Sequence, residues 1–248
     1  MGDDVCNSCE QHVGYCQCRS GSSTSRKEEY AVDLVGEDLS ELYSRYLNLE
    51  NRDLRFANLT GASLTNAKLM HAKLMHASLA GANLTDANLT DANLTDANLM
   101  RANLRKAVLT NAILVRANLM RANLTGADLT DRNKRRTGAH LDHAKLWGAD
   151  LTDADLRNVR FQWASLTDAN LTNANLTNAQ IYYANLMRAN LTGANLTEAK
   201  LWGANLTGAN LTNVNLSGAS LTGANLTDAN LSGANLKKAK MPDGTIHD

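Results

Sequence analysis

The fold is decided by a five-residue unit that is clearest at residues 87–99, which read Ala-Asn-Leu-Thr-Asp-Ala-Asn-Leu-Thr-Asp-Ala-Asn-Leu. Leucine occupies every fifth position from Leu49 to Leu129. The spacing resumes from Leu141 to Met241 with few substitutions, and alanine precedes most of these leucines by two positions. We call the leucine position the centre of each unit. Because internal repeats define whole architectures, this period is interpreted before any other feature.

A five-residue period excludes an α-helix, because each step of five rotates a helical position by about 140° and no buried stripe results. In an extended chain, alanine and leucine two positions apart share one face, but the next pair would face the opposite way. The chain must therefore turn once per unit. Threonine, asparagine, aspartate and glycine fill the two positions after the centre, and these are turn-forming residues.

Departures from the consensus recur after twenty residues, as when Met100-Arg101 returns as Met120-Arg121. If like side chains stack on one another, one coil contains four units. On these features the chain resembles the pentapeptide repeat family, and the resemblance covers roughly residues 47 to 241. It implies an all-β solenoid, a right-handed quadrilateral β-helix. At a coil spacing of about 4.8 Å, nine or ten coils would make a rod of roughly 45 Å.

Composition restricts the possible partners. The chain has 248 residues, with 25 Lys and Arg against 25 Asp and Glu. No net charge draws it to nucleic acid or to an anionic membrane. No apolar run reaches the length of a membrane span, and the start Met1-Gly2-Asp3-Asp4 is unlike a signal peptide. We therefore expect a cytoplasmic protein whose partner is an unidentified protein, without direct binding of nucleic acid or membrane.

All four cysteines lie in residues 1–27, which we interpret as a flexible leader and Ser/Gly linker. They form the pairs Cys6-x-x-Cys9 and Cys16-x-Cys18. Thiolates at such spacing can close on one Zn²⁺ ion, so a structural zinc site is one hypothesis. The alternatives are a redox-active tail and a leader without metal, because the second pair is more tightly spaced than in a zinc finger.

The regions that flank the repeat predict a helical cap at its N-terminal end and a short tail at its C-terminal end. The capping-box pattern Ser25-x-x-Glu28 precedes apolar residues at helical spacing, which predicts an N-terminal α-helical cap at residues 28–46, over the open end of the coil. Residues 242–248 begin with the only proline, Pro242, and form a C-terminal tail. This tail is similar to those of cyanobacterial members of the family, including a regulator that suppresses heterocyst differentiation. The lysine-rich last turn favours a monomer over a dimer.

A loop at residues 131–138 interrupts the repeat and carries Arg132, Lys134, Arg135 and Arg136. Twelve residues separate Leu129 from Leu141 where two units would take ten. We therefore expect the loop to replace one unit and add two residues, so that Leu119 precedes Leu141 on one side of the coil. That side would collect most of the unusual outward residues, and its predicted partner-binding residues are Met100, Arg101, Met120, Arg121, Arg160, Trp163, Tyr182, Tyr183, Lys200 and Trp202.

These residue types are enriched at protein interfaces, which favours partner binding over a second reading in which the aromatic rings only stack between coils. Nucleophile and base constellations are not recognisable in the repeat, so the sequence predicts a non-enzymatic scaffold or regulator. A further alternative comes from the resemblance. One branch of the family mimics DNA and binds type II topoisomerases, although the aspartates here are spread over several sides.

Overall fold

A computed structural model describes residues 34–44, 46–131 and 138–248 of the chain. Within them the path is a coil whose sides are single five-residue units. In one such unit, the amide of Asn88 donates to the Ala67 carbonyl of the preceding coil at 2.9 Å. The amide of Leu89 donates to the Val108 carbonyl of the following coil at 2.7 Å. Each side is therefore bonded to both of its neighbours, as in a parallel sheet.

Parallel bridges join residues twenty apart, from Asp38 with Asn58 to Ser220 with Lys240, except across the loop. The described part of the chain contains only isolated bridges, with neither helix nor longer strand. Ten coils begin there, at Leu34, Leu54, Leu74, Leu94, Leu114, Leu141, Phe161, Ile181, Leu201 and Leu221. The solenoid expected from the five-residue period is confirmed.

The core consists of the centres and of the alanines that precede them. From Leu54 to Leu221 every centre is fully buried or within 1% of it, and Phe161 is the largest of these side chains. Burying each leucine contributes about 1.5–3 kcal/mol relative to an exposed position. Alanine is required beside the centre because leucines from four sides already fill the narrow interior.

The polar residues of the unit shape its corner. Asn88 Oδ1 accepts hydrogen bonds from the amide of Thr90 at 3.1 Å and from its hydroxyl at 2.6 Å. This local turn satisfies backbone groups that the corner leaves outside the bridges. The next residue, Asp91, has φ of 56°, in the left-handed region that Gly, Asn and Asp tolerate best. The same region recurs at that position of nearly every unit.

The predicted register across the loop is wrong by one side. Ile113 bridges His140, and Asn118 bridges Lys145, so Leu114 rather than Leu119 precedes Leu141 in its column. The loop therefore inserts seven residues between two complete units and replaces none. The physical reason is that residues 130–140 contain no leucine, and a unit without a centre would leave a hole in the core.

The predicted helical cap is also wrong over the part that the structure describes. Residues 34–44 and 46 belong to the first coil, where Asp38 bridges Asn58 and Tyr43 bridges Ser63. Leu34, Leu39 and Leu49 keep the five-residue spacing, with Ser44 at the remaining centre. Residues 28–33 lie outside the described residues.

The tail ends the coil with a hairpin. Gly244, with φ of 89°, lies in a turn after which Ile246 forms an antiparallel bridge with Lys240. The amide of His247 donates to the Ala239 carbonyl at 2.9 Å. The tail thereby covers one edge of the last coil, which a further coil would otherwise pair with.

Candidate functional site

The corrected register defines four sides, and two of them carry unusual residues. We call side A the column of centres that contains Leu54, Leu114, Leu141 and Phe161. Side B is the next column, with centres that include Leu59 and Leu119. At the second position after each centre, side A presents in order Phe56, His76, Asp96, Arg116, His143, Trp163, Tyr183, Gly203, Gly223 and Asp243.

An aromatic ladder occupies the C-terminal half of side A. The rings of Trp163 and Tyr183 stack with centroids 4.4 Å apart and planes within 8°. The ring of Trp202 follows at 5.9 Å, tilted by 39°. These three side chains, the aromatic ladder, are 56%, 41% and 52% exposed respectively. Gly203 makes room for them, because a Cβ there would lie 2.6 Å from the Tyr183 ring.

The N-terminal half of side A carries a second run of contacts along the same column. Phe56 stacks on His76 with centroids 5.0 Å apart. Arg116 donates from Nε and Nη2 to the two carboxylate oxygens of Asp96, at 2.7 and 2.5 Å. These hydrogen bonds lower the pKa of Asp96, because they stabilise its ionised form. Outward side chains of side A therefore contact one another between neighbouring coils over most of its length.

Between these halves lies a half-buried polar cluster beside the loop. Asp142 is buried, its carboxylate contacts Arg160 Nη2 at 2.6 Å, and it accepts a hydrogen bond from the Gln162 amide. Burial lowers the pKa of His140, the nearby Arg160 lowers it further, and Asp142 opposes both. The charge of Arg160 is thus balanced by a neighbour on the same side.

Side B carries a different string of residues. The Arg121 guanidinium lies 4.6 Å from the centroid of the Trp147 ring. Trp147 Nε1 donates to Asp168 Oδ2 at 2.9 Å, and Arg188 donates to both oxygens of Asp168. The pKa of Asp168 is lowered by Arg188 first, against a smaller effect of burial, and by Trp147. Trp147 thus has a cation over its ring and a hydrogen-bond acceptor for its N–H group, unlike the tryptophans of the aromatic ladder.

The predicted partner-binding residues are therefore divided between two sides. Arg160, Trp163, Tyr182, Tyr183, Lys200 and Trp202 lie on side A, whereas Met100, Arg101, Met120 and Arg121 lie on side B. Side A also carries four residues that were not predicted from the sequence, Phe56, His76, Asp96 and Arg116. The signal that could have found them is the absence of a centre from the loop, which requires a pure insertion.

Two predicted features fall outside the described residues. They are the possible zinc ligands Cys6, Cys9, Cys16 and Cys18, and the basic loop residues Arg132, Lys134, Arg135 and Arg136. In the part that the structure covers, no group of three or more His, Cys, Asp or Glu side chains is placed to hold a metal ion. Over the same residues, no helix is long and apolar enough to cross a membrane.

Comparison with protein families matches the model described as pentapeptide repeats in eight copies, which cover residues 46–131 and 137–243. Among solved structures, HetL from the cyanobacterium Nostoc sp. strain PCC 7120 is 39% identical over 82% of this chain and 92% of its own, with a TM-score of 0.43. It is described as involved in regulating heterocyst differentiation.

Rfr23 from the cyanobacterium Cyanothece 51142 is 31% identical over 55% of this chain and 91% of its own, with a TM-score of 0.32. The plasmid-mediated fluoroquinolone resistance protein QnrB1 is only 18% identical, over 78% of this chain and 91% of its own, with a TM-score of 0.36. A search of the curated proteins gives no match.

Proposed function

The chain belongs to the pentapeptide repeat family, and we propose that it is a non-enzymatic scaffold or regulator that binds a partner protein through side A. The observation that carries this proposal is the exposure of the aromatic ladder. Trp163, Tyr183 and Trp202 are each more than two-fifths exposed in one column, although the fold requires none of them. Contiguous exposed aromatic side chains on a protein surface are typical of binding sites.

Backbone conformation adds support. Trp163 and Tyr183 have φ of 59° and 55°, at a position where the majority of units carry Gly, Asn or Asp. A bulky residue in the left-handed region costs about 1–3 kcal/mol and persists where another requirement outweighs that cost. Stacking between the rings recovers about 0.5–1.5 kcal/mol for a pair, which offsets the strain in part. A role at the surface would account for the remainder.

The family relationship gives this proposal its biological setting. HetL, which is described as involved in the regulation of heterocyst differentiation, shares 39% of aligned residues with this chain. We propose a regulatory role of the same general kind, exercised by binding and release of a protein. The partner is then one that recognises the outward residues of side A.

The test is capture of partner proteins from the source cell by the full chain and by a variant with Trp163, Tyr183 and Trp202 all replaced by Ser. Capture by the variant is expected to fall, while circular dichroism and thermal unfolding remain close to those of the wild type. The matched control replaces Met100 and Met120 by Ser, because these apolar side chains lie on side B. Unchanged capture by the aromatic variant would refute the proposal, as would loss confined to the methionine variant.

A mimic of DNA directed at a type II topoisomerase is less well supported. Such a surface needs a concentration of unpaired negative charge. In this chain several of the aspartates that line the rod are paired with cations, as in Asp96 with Arg116, Asp142 with Arg160, Asp155 with Arg157 and Asp168 with Arg188. A gyrase supercoiling assay separates the two functions, and inhibition at stoichiometric protein would favour the mimic.

A further inference from the structure

Several hydrogen-bond donors around the aromatic ladder have no partner within the described residues. The indole nitrogens of Trp163 and Trp202 form no hydrogen bond within the described part of the chain. The ammonium groups of Lys200 and Lys240, on the same side, form no ion pair there. Indole N–H and ammonium groups are hydrogen-bond donors only. A partner that covers this surface must therefore supply acceptors.

The acidic groups of the same half of side A do not serve these donors. Asp142 is occupied by Arg160 and by the Gln162 amide. Asp243 accepts hydrogen bonds from the amide and hydroxyl of Thr245 within the turn of the tail. Asp243 keeps its negative charge but lies two coils beyond Trp202, so the charge without an ion pair beside the aromatic ladder, within the described residues, is that of Lys200. Lys240 is a second cation without an ion pair in that part of the chain, two coils further along.

The positions of these lysines indicate the shape of the partner. Lys200 bridges Ser220, which bridges Lys240, so the two lysines lie in one column two coils apart. At about 4.8 Å per coil this separates their backbones by roughly 10 Å along the axis of the rod. An extended chain in the polyproline II conformation advances about 3.1 Å per residue and returns to the same face every third residue, so acidic residues three positions apart match that distance.

We infer that side A binds an extended acidic segment of a partner protein, laid along the rod. Its carboxylates contact Lys200 and Lys240, and its apolar side chains cover the ring edges of Trp163, Tyr183 and Trp202. This inference rests on the proposed function and specifies the partner's chemistry. Electrostatic complementarity of this kind determines orientation and selectivity, whereas the buried aromatic edges supply most of the affinity.

Single-stranded nucleic acid is the other anionic polymer that aromatic and basic residues bind, but the ring geometry disfavours it. Bases bind by stacking on free aromatic faces. Here Trp163 and Tyr183 stack with planes within 8°, so one face of Trp163 is covered, and Tyr183 lies between Trp163 and Trp202. Trp202 lies over Gly223, which leaves at most one face for a base. Edges directed outward suit apolar side chains better than successive bases.

The experiment measures binding of three fluorescent probes to the full chain by anisotropy. They are a short peptide with glutamate at every third position and leucine among the remaining residues, the same peptide with glutamine for every glutamate, and a single-stranded oligothymidylate. The glutamate peptide is expected to bind, more weakly as salt rises. The glutamine peptide is expected to bind at least several-fold more weakly, and the oligonucleotide not measurably.

Two variants locate the site. Lys200→Gln with Lys240→Gln is expected to weaken binding of the glutamate peptide roughly tenfold, the effect of two exposed ion pairs. Lys145→Gln is the matched control, because Lys145 is exposed, lacks an ion pair within the described residues and bridges the corresponding positions on side B. It is expected to leave binding unchanged.

Equal binding of the two peptides, equal loss with Lys145→Gln, or tighter binding of the oligonucleotide would each overturn the inference. These outcomes differ from failure of the proposed function. If the peptides fail while the Ser variant of the aromatic ladder still loses its captured protein, the acidic segment is wrong and the surface is right. If the Ser variant retains its captured protein, the surface itself is wrong.

Discussion

The amide of Ala139 donates a hydrogen bond to the carbonyl of Leu129 at 2.8 Å, across the whole of the inserted loop. In an uninterrupted unit the same bond joins Ala92 to Leu89 at 3.0 Å. The corner of the coil therefore closes as though residues 132–138 were absent. It is this closure that aligns the two halves of side A.

Engineered disulfides can test the alignment. With the four native cysteines replaced by Ser, we expect Arg116→Cys with His143→Cys to form an intramolecular disulfide. These positions lie in one column, at a coil spacing compatible with disulfide geometry. Arg121→Cys with His143→Cys is the control, since it would form only if Leu119 preceded Leu141. Mass spectrometry under oxidising conditions decides between the two pairs, and a bond confined to the control would contradict the register.

Shortening the loop provides a second test. Deletion of residues 132–138 joins Asp131 directly to Ala139 and restores the uninterrupted five-residue spacing. We expect this variant to unfold cooperatively at a temperature close to or above that of the wild type, because a shorter loop costs less closure entropy. Deletion of residues 126–130 is the comparison. It removes a complete unit with the buried Leu129 and turns every later residue by one side, so it should lower the unfolding temperature, as judged by circular dichroism.

Two glycines with the same backbone conformation allow the cost of a left-handed φ to be measured separately from the cost of a steric clash with the Tyr183 ring. Gly203 and Gly81 have φ of 65° and 66°, but only at Gly203 would a Cβ contact the Tyr183 ring. Gly81→Ala is expected to cost about 1–2 kcal/mol, from the left-handed conformation alone. Gly203→Ala should cost more and should also change the near-ultraviolet circular dichroism of the aromatic ladder. Indistinguishable spectra and stabilities would show that the ladder does not depend on Gly203.

Truncation of the buried centre Phe161 is expected to cause a large loss of stability. Phe161→Ala should lower the free energy of unfolding by about 3–5 kcal/mol, because it leaves a cavity in a fully buried site. Phe161→Leu restores the usual centre and should cost less than about 1.5 kcal/mol. Urea denaturation measures both changes. Similar values for the two variants would mean that neighbouring coils relax into the cavity.

The ion pair between Asp96 and Arg116 is expected to make the stability of the folded chain depend on pH. The lowered pKa of Asp96 means that its ionised form stabilises the folded chain above the pKa of an unfolded aspartate, about 3.9. That contribution is lost as the pH falls through the lower folded value. Arg116→Gln should therefore melt below the wild type at neutral pH, with a difference that closes under strongly acidic conditions.

Arg101→Gln is the control for this prediction, because Arg101 has a similar φ of 59° but forms no ion pair within the described residues. Thermal unfolding followed across the acidic range compares the three proteins. A difference between wild type and Arg116→Gln that stays constant with pH would show that packing of the arginine stem, rather than the charge pair, is responsible.

Much of the fold could be predicted because the five-residue period leaves the backbone few choices. Leucine and alanine at fixed spacing exclude a helix and require one corner per unit, and the buried centres follow from this. The assignment of residues to columns was less determined. The twelve positions from Leu129 to Leu141 can be divided into one five-residue unit with seven inserted residues, or into two units with two inserted residues. Only the requirement for a leucine in every side resolves that choice.

The contacts along side A could not be predicted from the sequence for a related reason. Stacking of Phe56 on His76 and pairing of Asp96 with Arg116 depend on which residues share a column. The helical spacing of residues 34–46 was misleading because Leu42 and Leu47 replace the usual alanine, which added apolar residues at helical intervals. At the open end of a coil, a larger residue fits at that position.

The twenty-residue bridge spacing also limits how the gene for such a protein can evolve. Duplication or loss of a whole coil changes the length of the rod and leaves every later residue in its column. Duplication of a single unit would instead turn all downstream residues by one side and carry Trp163, Tyr183 and Trp202 away from Arg116. Selection for an intact binding face would therefore favour length variants in multiples of twenty residues, together with insertions that, like the loop, leave the coil by a corner and return to it.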